Sequence, residues 1–146
     1  MRKTYFFLSF GVFLLCLYLL FSASPALEYP LGKNDTIPLG SFITWAGLIA
    51  LPMSFYWGSV KFRTPEGTLY NVLSTCLKVT IFLALLWLPI SYGLAGNMNF
   101  NFGQEPSFQG GQTAMKLFWG ITYSLVLSSL ILFILHIVLC FFRRTR

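Results

Sequence analysis

The side chains in this chain that could do chemistry are few, and they lie in an apolar setting. The single histidine, His136, falls inside the longest apolar run, residues 117–142. Counting back from it in sevens reaches Ser129 and Thr122, and counting forward reaches Arg143. Seven residues are nearly two turns of α-helix, so these four lie along one line that drifts by only about 20° per step. The line is a polar seam. An ionisable group on such a seam is a functional candidate, here a proton-responsive group or a contact for a quinone or lipid headgroup. The plainer role is a histidine near the membrane interface that hydrogen-bonds a neighbouring helix or loop, and we adopt it. Lys78 is the other ionisable residue among apolar neighbours. It either marks the boundary of a span that starts at Val79 or snorkels from inside one that starts near Tyr70. The boundary costs less.

Around these residues the requirements of most enzymes are unmet. One histidine cannot ligate a haem from both sides, and it lacks partners for a zinc site. The four acidic residues, Glu28, Asp35, Glu66 and Glu105, all lie outside the apolar runs. That argues against a proton-coupled carrier, which needs a carboxylate near the midplane, and against a pore lined by acidic rings. Paired carboxylates or a Ser-His-Asp set cannot be assembled. Gly110-Gly111 precedes an apolar run and follows no strand, so it is not a nucleotide-binding loop. Cys16, Cys76 and Cys140 include no Cys-x-x-Cys pair and read as buried structural thiols. No catalytic residue, metal site or cofactor is therefore expected.

The elements that must position these residues are membrane spans. Of the 146 residues 56% are hydrophobic and 10% charged, with a mean hydropathy of +0.72; a soluble domain carries roughly 25% charge. Apolar patterning gives an all-α membrane protein, a single bundle of four transmembrane helices at approximately 5–22, 39–57, 74–95 and 116–142. The first run follows Arg2 and Lys3 and precedes Ser22-Ala23-Ser24-Pro25-Ala26, so it has the parts of a secretory signal peptide. Its apolar part is long for a signal, and we read it as a retained signal anchor, with cleavage as the alternative. Pro52 and Pro89 fall inside spans and should free the carbonyls of Leu48 and Leu85. Phe55, Tyr56, Trp57, Trp87 and Tyr92 suit interfacial belts. The connection at residues 96–114 is the longest polar one. Its alternation of Asn97, Asn99 and Asn101 with Met98, Phe100 and Phe102 fits a short strand, but a loop whose phenylalanines dip into the interface is preferred. Asn34-Asp35-Thr36 matches a glycosylation acceptor and is taken as a chance match in a polar turn.

Charge sets the expected orientation. Arg2, Lys3, Lys61, Arg63, Lys78, Arg143, Arg144 and Arg146 fall on one side of this topology and only Lys33 and Lys116 on the other. The positive-inside rule then puts both termini in the cytoplasm, in a bacterial inner membrane or its equivalent. The net charge of +6 belongs to this flanking pattern, and nucleic acid is not an expected partner.

Two ridges of small residues complete the reading. Ala46, Ala50, Ser54 and Gly58 repeat every four residues in the second span, and Gly120, Ser124 and Ser128 do so in the last. Such ridges let membrane helices approach closely, and these two spans are expected to pair. The function this favours is non-enzymatic: an accessory, assembly or immunity-like factor that contacts another membrane protein, or a second copy of itself, within the lipid bilayer. The alternative is a small oligomeric carrier or lipid- or quinone-handling protein with Lys78, His136 and Arg143 as its polar path.

Overall fold

A computed structural model describes residues 2–31, 37–98, 100, 102 and 108–144, with Arg143 and Arg144 described by backbone alone. Helix α1 covers Arg2–Phe21 and α2 Leu39–Gly58; a one-turn helix α3, Val60–Arg63, leads to α4, Thr68–Ala95, and α5 spans Gly111–Arg144. The chain is nearly all helical. Four of these helices, α1, α2, α4 and α5 as far as Phe142, are long and apolar enough to cross a membrane, and they form a multi-pass helix bundle.

Local chemistry sets the helix ends. After α1 the backbone turns at Ala23, whose φ is 45°, and Ser24 caps a 3-10 turn at Pro25–Glu28 by accepting the Ala26 N–H. Pro30–Leu31 (β1) then pairs antiparallel with Ile37–Pro38 (β2), a two-residue ladder that the sequence did not suggest. Asn34 lies outside the described residues. Gly67, with φ of 82°, precedes α4, and Gly96, left-handed at φ 73°, closes it with its N–H on the Tyr92 carbonyl. A side chain resists these φ values, so glycine serves at both ends.

Helix α4 begins at Thr68, close to the alternative start near Tyr70 and before the boundaries at 74 and Val79. Tyr70, Leu73, Ser74 and Leu77 share one face and are buried, with Phe62 of α3 and Leu132 of α5 in the same apolar cluster. That packing holds the extra turns in helix. Lys78 follows one step round from Leu77 and is exposed on the outward face.

Both prolines sit inside continuous helices. The carbonyl that Pro89 frees on Leu85 accepts the indole N–H of Trp45 at 3.2 Å, and the same N–H lies 3.0 Å from the Ala84 carbonyl. A neighbouring helix thus satisfies the broken turn, and α2 is tied to α4. Trp87 corrects the expectation of an interfacial belt. It is 1% exposed, in a core with Leu48, Ala84, Met98, Phe118 and Leu125. Phe100 and Phe108 pack edge-on against each other and against Phe118. Phe100 and Phe108 of the long connection thus pack on the bundle, where the end of α4 and start of α5 leave an aromatic core to be covered. Asn99, Asn101 and residues 103–107 lie outside the description.

Helix α1 packs chiefly along α2, and its one buried side chain is Cys16. A Cβ at Gly47 would lie 3.2 Å from the Cβ of Cys16, and one at Gly58 would lie 3.1 Å from the Phe6 ring. Small residues let these two helices close on each other.

Candidate functional site

The expected seam on α5 divides into two kinds of polar group. Thr122 Oγ1 accepts the indole N–H of Trp87 at 2.8 Å and donates to the Phe118 carbonyl at 2.8 Å. Ser129 is fully buried and donates to the Leu125 carbonyl at 2.8 Å. Both are satisfied by helix carbonyls or one neighbour, as buried hydroxyls require. They hold structure and carry no charge.

His136, two turns further on, sits among polar side chains of three helices. Its Nδ1 is 3.3 Å from the Tyr70 hydroxyl, and its ring lies 4.9 Å from that of Phe62. The thiol of Cys140, one turn along α5, is 3.7 Å from Nε2. Lys61 reaches in from α3, with Nζ 3.5 Å from the Cys140 sulfur and 5.4 Å above the Tyr70 ring. Three helices thus bring an imidazole, a phenol, a thiol and an ammonium together at one end of the bundle. Pattern reading reached His136 alone; Tyr70 looked like an ordinary apolar-helix residue and Lys61 like a loop charge. Their convergence is set by the buried face of α4, which no local spacing reports.

Arg143 continues the seam as backbone, with its side chain outside the description. Lys78 does not join it, since it points outward from α4 while Tyr70, Ser74 and Leu77 point inward. Of the thiols, Cys16 is buried and Cys140 half-buried, whereas Cys76 is exposed, which corrects the reading of all three as buried. Among the described residues no three His, Cys, Asp or Glu side chains come together to hold a metal.

The small-residue ridges face different neighbours. Ala46 and Ala50 line a groove with Tyr5, Leu8, Ser9 and Val12 of α1, and Gly58 admits Phe6. Ser54 is buried, its hydroxyl donating to the Leu51 carbonyl at 2.7 Å. The α2 ridge thus faces α1, its neighbour in the chain. Gly120, Ser124 and Ser128 instead line an open groove of about 440 Å³ between α5 and α4, across from Thr80, Leu83 and Ile90, with Lys116 at one end. A Cβ at Gly120 would meet nothing within 4 Å.

A third hollow, of about 560 Å³, opens at the end where α1 begins. Arg2, Lys3 and Arg63 border it together with Phe6, Phe7, Trp57, Gly58 and Val60. Arg63 lies over the Trp57 ring at 5.8 Å, and Tyr5 stacks on the same indole at 5.0 Å.

No protein-family model matches the chain, and no curated protein or solved structure is similar enough to it to count as a match.

Proposed function

We propose that this protein acts non-enzymatically, as an accessory, assembly or immunity-like factor that works through helix contacts with a membrane partner, another protein or a second copy of itself. The observation that carries this reading is the unfilled groove along Gly120, Ser124 and Ser128. On the α2 ridge Ala50 and Ser54 are buried, whereas on this one, with the same small-residue spacing, Gly120 and Ser124 are exposed and Ser128 is half-buried. In lipid, close packing and interhelical hydrogen bonds drive helices together, and a smooth ridge bearing two hydroxyls offers both. In this reading both termini face the cytoplasm of a bacterial inner membrane. Its support is that Arg2, Lys3 and Arg63 border one hollow and so share one end of the bundle, with Lys116 on the far side of α5.

A photocrosslinking residue at Ser124 tests the proposal in native membranes, with one at Leu127, exposed on another face of α5, as control. The expected result is one discrete protein adduct from position 124 and none from 127. Lipid adducts alone from both positions would contradict it.

A second reading, a carrier or lipid- or quinone-handling protein, draws on His136, which lines an apolar crevice of about 270 Å³ with Phe6, Phe10, Ser54 and Phe133. Under it, His136→Leu abolishes activity and Gly120→Leu does not; under the first reading the order reverses.

A further inference from the structure

The hollow at the start of α1 holds three cations and borders apolar walls. Arg2 and Lys3 come from the first turn of α1 and Arg63 from the end of α3. Glu66 is the only carboxylate in residues 59–71, and it is exposed to solvent beyond the helix. The walls are Phe6, Phe7, Trp57 and Val60, with Phe7 and Val60 exposed. Phe6 and Gly58 border this hollow and also the crevice that runs on between α1, α2 and α5 past Phe10, Phe55 and Phe133. A basic mouth and a mainly apolar slot, which His136 also lines, therefore lie side by side. Gly58 and the Phe6 ring packed on it form the wall common to both.

We propose that this mouth and slot bind one anionic glycerophospholipid, with its phosphate on Arg2, Lys3 and Arg63 and the first part of an acyl chain in the slot. Charge complementarity selects the headgroup, since a zwitterionic lipid would bring its ammonium among the same cations. Basic residues at the membrane surface attract anionic lipids in just this way. The apolar walls select a lipid over free phosphate, and Trp57 and Tyr5 are the side chains that sit well at headgroup level. The site is at the opposite end of the bundle from Lys116, so it is separate from the groove of the proposed partner, and it stands whether or not that partner exists.

The test is native mass spectrometry of the full chain, delipidated in mild detergent and then supplied with dioleoyl phosphatidylglycerol or dioleoyl phosphatidylcholine. The expected result is a single phosphatidylglycerol held at least about tenfold better than phosphatidylcholine, unaffected by inorganic phosphate at equal concentration. R2Q together with R63Q should remove that preference, and K116Q should leave it intact, with far-UV circular dichroism confirming helix content in each. Equal retention of the two lipids by the wild-type chain would overturn the proposal without any variant. So would competition by inorganic phosphate, or an undiminished preference in the folded double variant.

Discussion

The two ends of this bundle solve the same problem in opposite ways. Where α4 ends and α5 begins, the indole N–H groups are neutral and satisfied inside the bundle: Trp87 by Thr122, and Trp45 by the carbonyls around the Pro89 break. Aromatic side chains of the long connection close over them. At the other end Lys61, Tyr70, His136 and Cys140 converge, and Arg2, Lys3 and Arg63 surround an open hollow. A neutral hydroxyl or indole can be satisfied once and sealed. A cluster of cations without carboxylates cannot, so it stays at the surface and keeps its capacity to bind. The first end is read as architecture and the second as a place where charge meets an anion.

The comparison can be broken at the sealed end first, where the largest effects are expected. A methyl group at Gly110 would collide with the Leu94 carbonyl, and backbone cannot step aside cheaply. Gly110→Ala should cost about 3 kcal/mol or more, seen as lost folded yield or a lower midpoint in denaturant titration of the detergent-solubilised protein. Trp87→Ala should follow at about 3 kcal/mol, from the cavity left among Leu48, Ala84 and Phe118. An unfolding midpoint unchanged from wild type would show that this end is not the packed core described here. Trp45→Phe keeps an aromatic ring and removes the N–H shared by the Ala84 and Leu85 carbonyls, so about 0.6 to 1 kcal/mol is expected. At the open end the same titration should register little: Tyr70→Phe deletes the hydroxyl beside His136 and should cost no more than about 0.6 kcal/mol. Smallest of all is Gly120→Leu, within about 0.5 kcal/mol, because the groove has space for the side chain.

How much of this was legible in the chain follows from the range of each interaction. Four spans could be read because lipid demands about 20 consecutive apolar residues, a purely local property. The same local pattern leaves the start of α4 between Tyr70 and Val79, because the choice rests on the packing of Tyr70, Leu73 and Leu77 with Phe62 and Leu132. Spacing on α5 identified Thr122, Ser129 and His136, yet could not separate the two sealed hydroxyls from the imidazole that meets Tyr70 and Cys140. The small-residue ridges were visible as a period of four, whereas their neighbours depend on which helices sit side by side: α1 took the α2 ridge. Trp87 was misread as interfacial because an indole near a span's end suits both a headgroup belt and a core, and the decision rests with Thr122, 35 residues away.

The most direct test of the proposed function is native mass spectrometry of the tagged protein extracted from its own membrane, wild type beside Gly120→Leu. The account predicts a stoichiometric partner, a second membrane protein or a second copy, on the wild-type chain, and its loss from the variant while helix content is kept. A wild-type chain recovered alone with lipid, or a complex that survives Gly120→Leu intact, would contradict it.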